Sequence, residues 1–288
     1  MKVLITGADG QVGRALAAAT PVGLELAQLS HGELDIGDPR AVNQVIRHHT
    51  PHIIINAAAY TAVDRAEAEP ELARRVNADG PRHLAGAARD CGARLIHLST
   101  DYVFDGNACV PYAPGAATKP LNVYGHTKLA GEKAVLEILP QRCVILRTAW
   151  IYAAEGRNFV NTMLRVMRAN GSVRVVADQF GTPTAAASVA TAIWRIITTS
   201  EIGGVHHWTD AGVASWYDLA VAIAEEAAAL GLVSGDIAVV PITTREYPTP
   251  AHRPRFSVLD QTSLQSLELA PVHWRKRLRH VLAEIKDG

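Results

Sequence analysis

A glycine-rich turn near the start of the chain constrains the fold more than any other feature. The apolar run Lys2-Val-Leu-Ile-Thr6 predicts a buried parallel strand, and it leads directly into Gly7-Ala-Asp-Gly-Gln-Val-Gly13. Residues 14–19 then predict a helix. In this order the glycines permit a tight turn, the approach of a pyrophosphate and close helix packing, while the helix amino end faces the phosphates. The turn predicts a dinucleotide site formed by Gly7, Gly10, Gln11, Val12 and Gly13.

Apolar runs and helical stretches alternate through the rest of the first half of the chain. Strands are predicted at residues 24–29, 52–56, 93–98 and 142–148, with a helix over 71–88. This alternation is typical of a Rossmann-type, doubly wound α/β fold with a parallel sheet. We expect a dinucleotide-binding domain over residues 1–150.

The second half has a looser pattern, which indicates a smaller, discontinuous substrate-binding domain. We expect a strand at residues 173–177 to return to the main sheet, so that the dinucleotide-binding domain resumes over 172–200. The substrate-binding domain then comprises residues 151–171 and 201–288. A short strand at 204–208 and a helix capped by Ser215 and Asp218 are predicted within it.

Composition excludes several classes of partner. Lys+Arg and Asp+Glu both total 28, so the net charge gives no reason to expect binding to nucleic acid or to a membrane surface. The most apolar later run, 185–197, is too short to span a bilayer, and no signal segment is evident. The three cysteines, Cys91, Cys109 and Cys143, show no pairing pattern and are expected to be reduced thiols of a cytoplasmic protein.

No metal site is predicted. Two pairs of adjacent histidines occur, at positions 48–49 and 206–207. Neighbouring side chains on a helix or strand diverge, so neither pair is expected to converge on one ion.

Tyr124 and Lys128 stand four residues apart on a predicted helix, so their side chains share one face with Cβ atoms ~5–6 Å apart. An ammonium group close to a phenol favours the phenolate, and we expect Lys128 to lower the pKa of Tyr124. Thr100 follows a strand, at the edge where doubly wound sheets bind ligands. Hydride delivery to a carbonyl builds oxyanion charge, which such donors stabilise. Together the three residues predict a nicotinamide-dependent carbonyl reductase.

Over its whole length the chain resembles the dTDP-4-dehydrorhamnose reductases of the extended short-chain dehydrogenases. The resemblance is carried by Ser99-Thr-Asp-Tyr-Val-Phe-Asp-Gly106, by Tyr124-Gly-His-Thr-Lys128 within the run 120–132, and by the runs 6–13, 56–64, 147–150, 178–184 and 253–254. Two positions depart from the family pattern: His31 stands where many members have a basic residue, and Phe256 where tyrosine is common.

The resemblance implies reduction of the 4-keto group of dTDP-6-deoxy-L-lyxo-4-hexulose to give dTDP-L-rhamnose. It implies that Tyr124 donates the proton, that Lys128 holds the nicotinamide ribose and that Thr100 binds the carbonyl oxygen. The expected partner is this dTDP-sugar, and the expected assembly is a monomer or homodimer.

Cofactor choice depends on the end of the second strand. NAD-specific folds usually place an acid there to bind the ribose 2′-hydroxyl, whereas this chain has Ser30 and His31. Both can donate hydrogen bonds to a 2′-phosphate, but no arginine follows to clamp it. We therefore expect NADPH to be modestly preferred and NADH to be usable.

Other contacts are also expected from the resemblance. The cofactor is expected to contact Asp35 and Ile36 at the adenine, together with Ala57, Ala58, Ala59 and Asn77. Arginine binds phosphate in a fork, which makes Arg253 a candidate ligand of the substrate diphosphate. The other expected substrate contacts are Thr61, Val63, Asp101, Trp150, Asn158, Phe159 and Gln179.

Two alternatives stay open. A sugar-nucleotide epimerase or 4,6-dehydratase could use the same scaffold, but dehydratases of this kind place an Asp-Glu pair after the threonine, and here Tyr102 follows Asp101. The chain could instead be a non-catalytic, NADP-binding regulatory subunit resembling the beta subunit of methionine adenosyltransferase. Turnover of NADPH with the dTDP-sugar separates these readings.

Overall fold

The computed structural model describes residues 1–199 and 202–288. The strands are β1 Lys2–Thr6, β2 Glu25–Leu29, β3 Ile53–Asn56, β4 Arg94–Thr100, β5 Cys143–Thr148, β6 Ile151–Tyr152, β7 Ser172–Val176, β8 Phe180–Gly181, β9 Thr184–Ala185, β10 Gly204–His207, β11 Ala214–Ser215 and β12 Ala238–Ile242. The α-helices are α1 Gln11–Ala18, α2 Pro39–His49, α3 Val63–Ala66, α4 Pro70–Arg74, α5 Gly80–Cys91, α6 Val123–Ile138, α7 Phe159–Asn170, α8 Ala186–Thr198, α9 Trp216–Ala229 and α10 Trp274–Asp287.

Six parallel strands form the main sheet of the described chain, in the order β10-β5-β4-β3-β1-β2. Successive residues of β1 alternate between the two faces, as strand geometry requires. Val3 and Ile5 pack in the apolar core that includes α1 and α8, while Leu4 packs in the core that includes α2 and α5. Helices therefore cover both faces, and the predicted doubly wound α/β fold is confirmed.

The predicted strands of the first half are all present, with ends shifted by one or two residues. The first helix begins at Gln11, three residues earlier than expected. Gly7 has φ +70°, a left-handed conformation that favours glycine. A methyl group on Gly13 would lie 2.3 Å from the Gly7 carbonyl oxygen, so α1 can pack this closely only with glycine there.

A π-helical turn, Arg75–Asp79, interrupts the helix predicted over 71–88 and separates α4 from α5. Pro81 has no N–H to donate to the carbonyl of Asn77, and its ring would clash with that carbonyl in a regular α-helix. Helix α6 packs against this point, where a methyl group on Gly131 would lie 2.2 Å from the Asn77 oxygen. The sequence pattern alone did not indicate this turn.

The second half corrects one expectation about the sheet. The predicted strand at 173–177 exists as β7, but it pairs with β12 rather than returning to the main sheet. The sheet edge beside β5 is instead occupied by β10, which pairs from Gly204↔Val144 to His207↔Arg147. The range 201–288, assigned to the substrate-binding domain, therefore contributes one strand to the main sheet.

A separate apolar core lies among α7, α9 and α10. The predicted cap of α9 is confirmed, since the Ser215 side chain accepts from the Asp218 N–H and the Asp218 carboxylate accepts from the Ser215 N–H. The exact domain limits stay a prediction. Nowhere in residues 1–199 or 202–288 is a helix long and apolar enough to cross a membrane.

Candidate active site

The carboxyl ends of the main strands open into a cleft of about 600 Å³. Its walls come from both halves of the chain, as expected for a ligand site at this edge of a doubly wound sheet. Half of the predicted site residues line it: Gly10, Gln11, Val12, Ala57, Ala59, Thr61, Val63, Thr100, Asp101, Tyr124, Lys128 and Trp150.

The glycine loop forms one end of the cleft. Gly10 is the N-cap residue of α1 and has no side chain, so the first N–H groups of the helix have no side-chain partner. Gly7, at the start of this loop, packs closely on Ala58: a methyl group on Gly7 would lie 2.6 Å from the Ala58 nitrogen. Such a bare helix amino end fits the diphosphate of a dinucleotide. The role of Ala58 is thus to support the loop from below.

Thr100 and Tyr124 meet at the floor of the cleft. Thr100 is the last residue of β4; its hydroxyl donates to Asp101 Oδ1 at 3.0 Å and accepts from the Tyr102 N–H at 3.1 Å. Tyr124 lies in the first turn of α6, which Asn122 caps. The Tyr102 ring packs edge-on against that of Tyr124, with centroids 5.5 Å apart. Strand end and helix start therefore bring the two predicted hydroxyl donors together.

The expected effect of Lys128 on Tyr124 is wrong for this structure. Burial raises the pKa of Tyr124 to about 12, against a lowering contribution from the Thr100 hydrogen bond. Lys128 is itself buried, and its Nζ donates to the Leu98 carbonyl at 2.6 Å. Burial lowers the pKa of Lys128 to about 8. Tyr124 is consequently a neutral phenol throughout the physiological range, which is the form that donates a proton.

Asp101 supplies a buried carboxyl beside this pair. Burial raises its pKa to about 6, although the hydrogen bond from Thr100 lowers it. Its Oδ2 is buried without a hydrogen-bond partner. A carboxylate this close also raises the pKa of Tyr124, so it helps to keep the phenol protonated.

Asn77 was expected to contact the cofactor, but it does not line the cleft. It is buried in the π turn, where its amide pairs with the backbone of Tyr60: Oδ1 accepts from the Tyr60 N–H at 2.8 Å and Nδ2 donates to the Tyr60 carbonyl at 3.0 Å. Asn77 therefore fixes the loop that carries Ala57, Ala59 and Thr61. Direct contact with a cofactor stays a prediction.

The residues expected at the adenine end lie after β2. The N–H and hydroxyl of Ser30 donate to Glu33 at 2.8 and 2.6 Å, so an unexpected carboxylate sits beside Ser30 and His31. Asp35 forms an ion pair with Arg75 at 3.0 Å. The buried Ile36 side chain lies against Gly80, where an added methyl group would be 2.6 Å from it.

An aromatic stack forms the wall opposite the glycine loop. Trp150 lies flat on Trp216, with centroids 3.4 Å apart and an interplanar angle of 3°, and Phe159 packs on Trp216 at 4.7 Å. Trp150 has φ +49°, an uncommon conformation for a tryptophan that marks a constrained position. Gln179 holds the stack by accepting from Trp216 Nε1 at 3.2 Å.

Trp216 was missed by the sequence analysis. The cap at Ser215 predicted a helix start at this point, but nothing in the sequence paired that helix with Trp150. Phe159 and Gln179 were expected to contact substrate; the structure places them behind the two tryptophans.

Residues 153–158 reach from the second half to the glycine loop. Asn158 caps α7, and its Nδ2 also donates to Gln11 Oε1 at 2.9 Å. Arg14 and Arg157, neither of which the sequence analysis identified, line the cleft beside this contact. The sequence signal that could have indicated Arg157 was its neighbour Asn158, which was expected to contact the substrate.

Arg253, the predicted phosphate ligand, is held by another partner. Its guanidinium binds Asp64 through two hydrogen bonds of 2.7 and 3.0 Å, and it donates to Thr249 Oγ1 at 2.6 Å. Burial raises the pKa of Asp64, but the hydrogen bond and charge of Arg253 bring it below its ordinary value overall. Phosphate binding by Arg253 stays a prediction, and it requires the guanidinium to release Asp64 and bind the phosphate instead.

Comparison with known proteins gives one consistent answer. The profile of the family described as RmlD substrate binding domain matches residues 1–287. A dTDP-4-dehydrorhamnose reductase of Streptomyces griseus is 45% identical over 285 residues, which cover 96% of this chain and 91% of that protein.

Two solved structures agree with it. A dTDP-4-dehydrorhamnose reductase from Clostridium acetobutylicum has a TM-score of 0.94 at 38% identity, covering 99% of this chain and 100% of its own. The dTDP-4-dehydrorhamnose reductase from Bacillus anthracis, solved in complex with NADP, has a TM-score of 0.92 at 35% identity and covers 98% and 99% respectively.

Proposed function

Since the chain belongs to the RmlD substrate binding domain family, we propose that it reduces the 4-keto group of dTDP-4-dehydro-6-deoxy-L-mannose with NADPH to give dTDP-L-rhamnose. One observation carries this: Thr100, Tyr124 and Lys128 line a single cleft with the glycine loop at its end. The relatives supply the identity of the sugar and of the base, which the cleft geometry alone does not specify.

Each of the three residues has a task in this reaction. A nicotinamide held in this cleft would supply a hydride to the carbonyl carbon. Tyr124, protonated because burial raises its pKa to about 12, donates its proton to the carbonyl oxygen as charge develops there. Thr100 turns its hydroxyl from Asp101 to the same oxygen, and Lys128 holds the nicotinamide ribose.

The substrate extends from this floor towards the second half of the chain. The sugar lies along the stacked pair Trp150 and Trp216, which presents to the cleft the apolar surface that the rings do not bury against each other. Aromatic side chains of this kind pack well against the apolar parts of a 6-deoxy sugar. Arg157 and Arg253 are the cations for the substrate diphosphate, since buried phosphate charge requires compensation. The remaining contacts are assigned to Thr61, Val63, Asp101 and Asn158, while Phe159 and Gln179 act indirectly by holding Trp216 in place.

NADPH is the preferred cofactor, and the preference is mild. Gly7, Gly10, Gln11, Val12 and Gly13 bind its diphosphate, and Ser30 and His31 meet the 2′-phosphate. The Glu33 carboxylate on Ser30 repels that phosphate, which limits the preference. The ratio of kcat/KM for NADPH and NADH tests this: a preference for NADH of about tenfold or more contradicts the assignment.

The alternatives differ from this proposal in defined ways. A dehydratase of this kind has a second carboxylate where Tyr102 stands. Burial raises the pKa of the Tyr102 hydroxyl well above its ordinary range, so this phenol stays protonated and cannot serve as the base. A regulatory subunit would bind NADP without turnover. The protein is proposed to work in the cytoplasm as a monomer or homodimer.

The deciding experiment uses purified protein, NADPH and the dTDP-4-keto-6-deoxy sugar. We expect rapid loss of NADPH absorbance and formation of dTDP-L-rhamnose, with weaker use of the UDP analogue. Tight NADPH binding without turnover would support the regulatory alternative instead.

A further inference from the structure

A buried charged cluster lies directly behind the cleft. Arg147 of β5 donates to both carboxylate oxygens of Glu132 on α6, at 2.9 and 2.7 Å, and the Ser99 hydroxyl donates to the same carboxylate. The Arg147 and Glu132 side chains are 5% and 1% exposed. Burying two charges is costly even when they are paired. A contribution to stability alone therefore does not explain why these charges are buried here.

Arg147 is fixed on its other sides as well. Its Nη1 donates to the Pro114 carbonyl at 3.1 Å, and its guanidinium lies 5.1 Å from the centre of the Phe104 ring. Strand pairing places it beside Ser99. The carboxylate of Glu132 is consequently held in one position by two elements of the sheet, β4 and β5.

Lys128 lies one turn before Glu132 on the same face of α6. Its Nζ donates to the carbonyl of Leu98, the residue next to Ser99. Burial lowers the pKa of Lys128, whereas the charge of Glu132 raises it. Without that carboxylate, the lysine would lose its proton more readily.

The other titratable groups near Lys128 provide little compensation. His97 on β4 is kept neutral, since burial and the charge of Lys128 both lower its pKa. Tyr124 on α6 is a neutral phenol, and the Asp101 carboxyl after β4 is directed to Thr100. Arg147 is a cation, but it binds Glu132 through both oxygens and does not reverse its charge.

We propose that Glu132 is a positioning residue for the reduction: fixed by Arg147 and Ser99, its carboxylate keeps Lys128 charged and in place to bind the cofactor ribose. The proposal rests on the function proposed above only in the identity of the cofactor. Glu132 itself is buried and does not line the cleft, so it acts through Lys128.

The test measures the dissociation constant of NADPH against pH, with no sugar present. In the wild-type protein, affinity should fall as pH rises through about 8, where Lys128 loses its proton. Glu132→Gln, which keeps the shape, should move this midpoint about one unit or more towards acid, because a nearby opposite charge shifts a pKa by about 1–3 units. Glu132→Asp, which keeps the negative charge, should keep the midpoint close to that of the wild-type protein.

Three controls make the result specific. Lys128→Met should abolish the pH-dependent fall and so assign it to this lysine. Glu226→Gln breaks a distant ion pair with Arg275 and Arg279 and should leave the midpoint unchanged. If Glu132→Gln does not fold, the double variant Glu132→Leu with Arg147→Met removes both charges without leaving one unpaired. An acid shift of the midpoint is again expected, but a smaller one, because the Arg147 cation is removed as well.

A folded Glu132→Gln or double variant with the wild-type midpoint would overturn the proposal. Wild-type protein that shows this binding behaviour but no turnover of the sugar would overturn only the reductase function.

Discussion

Replacing Tyr124 by phenylalanine removes the proposed proton donor and little else. The ring keeps its edge-on contact with Tyr102, and the lost hydroxyl interacts with Thr100. Losing one neutral hydrogen bond costs about 0.5–1.5 kcal/mol of stability. General acid catalysis typically contributes ~10²–10⁴-fold to the rate, which corresponds to about 2.7–5.4 kcal/mol in the barrier. We expect kcat to fall by that factor while the protein stays folded.

The assay is steady-state oxidation of NADPH with the dTDP-keto sugar, together with the NADPH dissociation constant and a thermal unfolding curve. Tyr102→Phe is the matched control, because it removes a second hydroxyl from the lining of the same cleft, and the partner of that hydroxyl is Arg253. It should change kcat by less than about tenfold. The reasoning is refuted if folded Tyr124→Phe retains more than about a tenth of wild-type turnover.

Three further perturbations test other parts of the account. Arg253→Ala should weaken substrate binding by about 1.5–3 kcal/mol, seen as a raised KM for the dTDP-sugar with unchanged NADPH affinity; an equal effect of Asp64→Asn would show that the ion pair, not phosphate binding, is responsible. Trp216→Ala should raise the same KM about two- to tenfold without changing NADPH affinity, and an unchanged KM would remove Trp216 from the sugar site. Burial and the charge of Arg147 lower the pKa of His207 from 6.5 to about 3. Between pH 6.5 and 3, His207 is therefore protonated in the unfolded chain but neutral in the folded one. The free energy of unfolding should fall as pH drops through this range. Urea unfolding should show a shallower fall in His207→Gln, and identical pH profiles would contradict this.

The sequence was sufficient for the features that depend on local pattern. The glycine turn, the strand before it and the helix after it lie within about twenty residues. Thr100 and Tyr124 lie 24 residues apart, but in a doubly wound sheet the strands end and the following helices begin at one edge. Their convergence was therefore foreseeable.

Features set by long-range packing were not predictable in this way. Trp150 and Trp216 are joined only by the folded second half, and the pairing of β7 with β12 leaves the sheet edge to β10. The spacing of Tyr124 and Lys128 predicted proximity but not burial, and burial decides the direction of both pKa shifts. The burial of Glu132 and Arg147 was equally unpredictable, because nothing in the sequence distinguishes these two charged residues from surface residues.

The central claim is direct hydride transfer to C4 of the sugar in this cleft. It is tested by supplying NADPH deuterated at the transferred position of the nicotinamide and analysing the sugar product by mass spectrometry and NMR. The account predicts dTDP-L-rhamnose with one deuterium, bound to C4, for each NADPH oxidised. Product without deuterium at C4, or bound NADPH that is never oxidised, would contradict it.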